Sequence, residues 1–185
     1  LAGLATAKVS LASSLGKDVL MIERFDRIDT TTGKARRLML SGLSLLALNE
    51  MEARYAIYSD LADRIRQRFD EPQATLVELF KRLVFNVLVG NTDDHARNHS
   101  AFWDGRHLSL TPAYDICPQL RTGLEATQAL DIGGIAGKGA TLVNVLSVCG
   151  KFQLRESDAR AMIEQLITVV EDNWVAVCEE AGLAS

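Results

Sequence analysis

An α+β chain, mainly α-helical with a few short β-hairpins, is predicted by three observations. Apolar residues recur at helical spacing over two long segments, Leu76 to Leu88 and Ile163 to Val177. Short β-prone runs flank turn signals at Leu15-Gly16 and at Asp104-Gly105. The 185 residues are 48% apolar, enough for one sizeable core and a remnant of another domain.

Taken in order, Leu1-Ala7 reads as the tail of a helix. Lys8-Ser14 and Val19-Arg24 read as a hairpin around Leu15-Gly16-Lys17-Asp18. Val19-Leu20-Met21-Ile22 is continuously apolar, as in a strand covered on both faces. Asp29-Lys34 is polar and Thr-rich, which predicts a loop, and Leu38-Ala56 predicts a helix. Ser59 is placed to cap a further helix, with Leu61, Ile65 and Phe69 on one stripe and Glu71-Pro72 as its stop. Thr75-x-x-Glu78 has the form of a capping box, and Gly90 ends the helix that follows it. Ser100-Trp103 and Arg106-Leu110 form the second hairpin. Residues 119–141 are irregular, Leu142-Cys149 is a short helix, and Ser157 caps a last helix over 158–181. Its inward residues are Ile163, Leu166, Ile167, Val170, Trp174 and Val177.

The net charge of −4 gives no basic bias, so direct binding to nucleic acid is not expected. Cys117, Cys149 and Cys178 are odd in number and far apart, which fits a reducing cytoplasm. No apolar run reaches membrane-spanning length. The start lacks Met, and the chain reads as the C-terminal piece of a longer protein.

The functional signal lies in Asn91-Thr92-Asp93-Asp94-His95-Ala96-Arg97-Asn98, delivered by the end of an apolar helix. Asp93 stands five residues before Asn98, the Asp-to-Asn interval of the protein-kinase catalytic loop. A second acid, Asp115, follows just past the hairpin, in Pro112-Ala113-Tyr114-Asp115. One Asp to orient a hydroxyl proton, with an Asn and a second Asp to hold Mg²⁺, is the polar set of phosphoryl transfer. The same residues also suit an ordinary hydrogen-bonded turn. A third reading takes His95 and His99, four apart, with Asp93 or Asp94 and the distant His107, as transition-metal ligands. Gly133 to Gly139 is not a P-loop: its spacing is one residue short, and no Ser or Thr follows Lys138.

Three segments together carry a resemblance: Glu23-Arg24-Phe25-Asp26-Arg27, Phe85 to Asn98, and Leu110-Thr111-Pro112-Ala113-Tyr114-Asp115-Ile116. In this order they resemble the HipA-like Ser/Thr kinases, toxins of bacterial toxin–antitoxin pairs, over nearly the whole chain. The resemblance implies a protein-kinase-like C-lobe over 28–185, preceded by a remnant of the N-lobe and hinge over 1–27. It implies ATP and Mg²⁺ as cofactors, with Asp93 as the catalytic Asp. His95 and Asn98 would lie at the nucleotide phosphates, Asn98 and Asp115 on the metal, and Tyr114 beside them. Glu23, Arg24 and Phe25 would form the hinge that meets adenine through backbone groups. It further implies a protein acceptor, with aminoacyl-tRNA synthetases as frequent family targets, and a DNA-binding antitoxin partner. The phosphate-covering loop and strand Lys of a kinase have no place in the short segment before Glu23. Most of the N-lobe is therefore expected to be missing here, leaving this piece inactive alone. A non-catalytic lobe that holds an antitoxin is the alternative.

Overall fold

The computed structural model describes residues 1–120, 123 and 125–182. Residues 121, 122 and 124 of the segment expected to be irregular, and 183–185 of the expected C-lobe, lie outside the described residues. The fold is mixed α/β: small antiparallel sheets stand beside a helical core.

The first hairpin pairs β1 (Val9–Ser14) with β2 (Lys17–Ile22). Leu15 and Gly16 both take positive φ, 52° and 73°, which suits the right-handed twist of a two-residue turn. The expected covering of Val19 to Ile22 is not found. These side chains are 36–57% exposed, because no described element packs on either face. The predicted loop at Asp29-Lys34 is instead a second tight hairpin, β3 (Arg27–Thr30) with β4 (Gly33–Arg36). The Thr30 hydroxyl donates to Gly33 O at 2.7 Å and closes the turn.

Leu1-Ala7 is not a helix. Gly3 takes φ 67°, and Thr6 bridges Ala113 in parallel, with Ala7 N–H donating to Ala113 O and Ala113 N–H to Ala5 O. The backbone edge at Ala113 competes successfully with local helix propensity. The predicted helix at Leu38-Ala56 also breaks up. β5 (Leu38–Ser41) pairs with β6 (Ser100–Trp103), which pairs in turn with β7 (Leu108–Leu110). Ser41 then caps a single turn, α1 (Gly42–Leu45), and Asn49 caps a 3₁₀ segment, Glu50–Tyr55. β7 starts later than expected because Asp104 Oδ1 accepts from both Arg106 N–H and His107 N–H, at 2.7 Å each.

α2 (Tyr58–Arg68) begins without help from Ser59. Ile57 is extended, and Tyr58 N–H donates to Asp131 O at 2.9 Å. α2 ends at Phe69, before the predicted stop; Pro72 instead opens α3 (Pro72–Leu88), where its missing N–H costs nothing. Thr75 is therefore inside the helix rather than at a capping box. Its hydroxyl donates to Glu71 O, and Glu78 is engaged by Arg82. Gly90, at φ 70°, ends this run as expected.

α4 (Leu142–Ser147) is followed by a 3₁₀ turn, Cys149–Phe152, and by α5 (Glu156–Glu180). Ser157 does not cap α5; Arg155 precedes it and pairs with Asp158. Ile163 and Leu166 are buried, whereas Trp174 and Val177 are 40% and 45% exposed, so the distal half of α5 leaves the core. α3 is the hub. Its Leu76, Leu79, Phe80, Leu83 and Val84 are at most 1% exposed, and the Phe80 ring meets Phe152 edge-on at 5.3 Å. Among the described residues no helix is long and apolar enough to cross a membrane.

Replacing the fully buried Phe152 by Ala is expected to cost about 3–5 kcal/mol in urea denaturation of the 185-residue chain. Leu11→Ser on the exposed hairpin is expected to cost less than about 0.5 kcal/mol. Equal losses would contradict the position of the core.

Candidate active site

α3 carries the chain straight into the 91–98 loop, and backbone bonds fix that loop on several sides. Asn91 N–H donates to Asn86 O, and its side-chain Nδ2 to Asn86 Oδ1 at 3.1 Å. On the far side, Ala129 N–H donates to Thr92 O at 2.9 Å and Leu130 N–H to Asp94 O at 2.8 Å. The 129–131 segment thus lies along the loop like a splint.

Between these supports the two acids diverge. Asp93 is exposed, and its carboxylate makes no hydrogen bond among the described residues. Asp94 is 1% exposed and fully engaged. Tyr58 Oη donates to Asp94 Oδ2, and His99 Nε2 lies 2.9 Å from Asp94 Oδ1 and 3.2 Å from Tyr58 Oη. Tyr58 and His99 are themselves 0% and 4% exposed. Burial, reinforced by the Asp94 charge, pushes the Tyr58 phenol well above its ordinary value. Sequence reasoning missed Tyr58 and Asp94. His99, weighed in the sequence as a transition-metal ligand, is buried against Asp94 instead.

The loop closes on itself through Asn98, which is 6% exposed. Its Oδ1 accepts from His95 N–H at 3.2 Å, and Nδ2 donates to Asp115 Oδ2 at 2.7 Å. Asn98 and Asp115 are therefore brought together, as the spacing predicts. Asp115 holds a left-handed backbone, φ 58°, which turns its carboxylate toward the loop. Tyr114 Oη bonds Ser100 Oγ at 2.6 Å and donates to Arg97 O. Burial, with Asp115 adding, raises the Tyr114 phenol above its ordinary value, while the bond from Ser100 opposes the rise.

The Phe25 ring packs against Tyr114, centroids 5.7 Å apart, and against Phe102 at 6.0 Å. Glu23 and Arg24 point elsewhere. Glu23 pairs with Lys8 at 3.6 Å, and its N–H donates to Lys8 O. Arg24 makes two bonds to Asp26. Phe25 keeps both backbone groups unpaired among the described residues.

A buried arginine ties these parts together. Arg82 of α3 is 3% exposed, binds Glu78 Oε1 at 2.9 Å, and donates to Thr111 O at 2.8 Å and Ala5 O at 3.4 Å. It anchors the strand that leads into Tyr114-Asp115. Burial lowers its pKa, with Glu78 opposing.

The transition-metal reading fails. His99 is committed to Asp94, His107 is exposed on a distant turn, and no group of three His, Cys, Asp or Glu among the described residues could hold a metal. Asn98 meets Asp115 through its amide nitrogen, while its Oδ1 is engaged by His95 N–H, so Asp115 is the side chain of the pair whose oxygens could face a hard cation. Mg²⁺ takes one or two protein oxygens and completes its shell with water and phosphate, so turning the Asn98 amide would add its oxygen beside that of Asp115.

Tyr58→Phe isolates the buried phenol. Its folded pKa is raised, so the stability it confers is full below its unfolded value and is lost as pH climbs above about 10. The wild-type chain is expected to lose about 1.4 kcal/mol more per pH unit than Tyr58→Phe above that point. Parallel alkaline denaturation curves would show that Tyr58 is not buried as a neutral phenol.

Residues 1–174 match the family described as HipA-like C-terminal domain. The chain is 28% identical over 119 residues to "Putative kinase Y4mE" of Sinorhizobium fredii (strain NBRC 101917 / NGR234), covering 62% of this chain and 28% of that protein. Its structure is similar to a chain of the Shewanella oneidensis MR-1 toxin antitoxin system HipA, HipB and operator DNA complex. The TM-score is 0.73 at 19% identity, over 89% of this chain and 43% of that one. The latter likeness is one of fold, and the chain spans less than half the length of either protein. Sequence family and fold agree: the chain belongs to the HipA-like C-terminal domain family.

Proposed function

We propose that the protein carrying this chain is an ATP- and Mg²⁺-dependent Ser/Thr protein kinase of the HipA-like toxin type. The carrying observation is the exposed Asp93 carboxylate, without a hydrogen bond among the described residues, on the same pinned loop as Asn98, whose amide meets Asp115 at 2.7 Å. A free carboxylate is what orienting an acceptor hydroxyl requires, and Asp94 supplies the anchoring that leaves Asp93 free. Asn98 and Asp115 would hold the cation; when bound, it neutralises charge on the transferring phosphoryl group. The unpaired backbone of Phe25, beside Tyr114, is available to adenine edges, which makes Phe25 the stronger hinge residue and Glu23 and Arg24 the weaker ones. His95, whose Nδ1 is buried without a partner among the described residues, faces the phosphate side in this reading.

On this reading residues 28–185 are a kinase-like C-lobe and 1–27 the hinge and a remnant of the N-lobe. Placement in the cytoplasm and an antitoxin partner follow the family, whose structural relative is described in complex with HipB. The second reading, a non-catalytic lobe that binds an antitoxin, is favoured by the apolar side chains exposed on both faces of the β1–β2 hairpin.

Two substitutions in the intact protein separate these readings. Asp93→Ala is expected to lower phosphate transfer from ATP by about 10²–10⁴-fold without altering thermal unfolding of the 185-residue chain. Near wild-type transfer would refute the kinase assignment. Asp115→Asn is expected to weaken Mg²⁺–nucleotide binding by about 10-fold or more, since one charge-assisted contact is worth about 1.5–3 kcal/mol. Unchanged affinity by calorimetry would remove Asp115 from the metal site.

A further inference from the structure

Asp93 borders a broad opening of about 500 Å³, open to solvent, whose lining does not include Asn98 or Asp115. Its walls are Thr92 and Asp93 from the loop, Gln119, and Thr127 to Ala129 with Lys138 from the segment beyond. The small cavity lined by Asn98 and Tyr114 is separate from it and does not include Asp93. Asp93 therefore borders a space large enough for several residues of another chain.

Lys138 is built into this wall. The 126–140 segment folds back on itself: Gln128 N–H donates to Lys138 O, Ala140 N–H to Ala126 O, and Thr127 bridges Gly139. Asn144 is fully buried, and its Nδ2 donates to the carbonyls on both sides of Lys138, those of Gly137 and Gly139, at 2.8 Å each. A Cβ on Gly134 would stand 2.3 Å from Asn144 Oδ1, so the turn is closely fitted around that amide. The Lys138 ammonium donates to Ala129 O at 3.0 Å and meets no carboxylate among the described residues. Ala129 is the residue whose N–H holds Thr92 O, which couples the ammonium to the loop that presents Asp93. Gln128, 1% exposed, keeps its side-chain amide buried beneath this wall, with Nε2 and Oε1 unpaired among the described residues.

We propose that this opening binds the acceptor as an extended peptide segment, with its Ser or Thr hydroxyl at Asp93 and a flanking acidic side chain on Lys138. The proposal rests on the kinase reading and names its substrate class. A part-buried ammonium with a single carbonyl partner is poorly compensated and favours an anion. Among the described lining residues only Asp93 and Lys138 are charged, so the acid would be drawn to the Lys138 end of the opening. Asp93, as a carboxylate, repels it from the other end.

The test uses the intact protein carrying this chain, Mg²⁺-ATP, and a positional peptide library with a central Ser or Thr. Wild type should select Asp or Glu at one flanking position by roughly tenfold, on the scale of a partly buried charge pair. Lys138→Ala should abolish that selection, and Lys138→Glu should shift it toward Lys or Arg. For a peptide carrying the selected acid, Lys138→Ala should raise the acceptor KM with kcat little changed. Acid selection that survives Lys138→Ala, or its absence in wild type, overturns the proposal. So does a fall in kcat at unchanged acceptor KM, which would place Lys138 on the transferring phosphoryl group. Asp93-dependent transfer of phosphate to water or to the protein itself is the separate check. If that proceeds while no peptide is phosphorylated, the acceptor proposal fails and the kinase reading stands. If it is absent, the kinase reading fails first.

Discussion

The buried carboxylate of Asp94 is the constraint on which the arrangement of the site depends. It is shared between Tyr58 of α2 and His99 at the start of β6, so one side chain joins the helical core, the loop and the central sheet. A buried carboxylate is costly unless each oxygen is satisfied, and here each has a donor within hydrogen-bond range. Such a network adds little net stability compared with an apolar packing of the same volume. Its effect is to admit one loop geometry, because any other leaves a charge without partners. Asp93 is displayed to solvent as the direct result of its neighbour being held inside.

α3 does similar work from below. Its apolar face makes the core, while Arg82 and Asn86 use the same helix to reach Thr111, Ala5 and Asn91. The segments that carry Asp93 and Asp115 are therefore referred to one rigid body. The Asn98–Asp115 contact, across residues far apart in sequence, is precise because both ends hang from α3.

What could be read from the chain follows the range of the forces involved. The α3 face, the Gly90 stop, the Asp104-Gly105 hairpin and the loop with its Asp-to-Asn interval are local patterns, and the structure shows them where the pattern puts them. Leu38-Ala56 and Leu1-Ala7 were misread because non-local strand partners, Ser100–Trp103 and Ala113, overrode helical composition. Within the site, Asn98 and Asp115 were legible from spacing. Tyr58, Arg82 and Lys138 were not, since each reaches the site from another element and carries no local motif. The capping signals at Ser59, Thr75 and Ser157 were outcompeted by Asp131 O, by Pro72 and by the Arg155–Asp158 pair.

Gly42 shows how far such coupling extends. A Cβ there would lie 2.5 Å from Ala96 O and 3.2 Å from His99 O, and Gly42 N–H already donates to that second carbonyl. Both obstacles are backbone atoms of the loop, which cannot swing aside as a flexible side chain would. Even an added methyl must displace the segment that presents Asp93 and Asn98. In a genetic screen for inactivating changes, position 42 would therefore score alongside the acids themselves, although it bears no functional group. Its tolerance is set by steric exclusion at a distance in sequence, and a map of mutational sensitivity would mark it as part of the site.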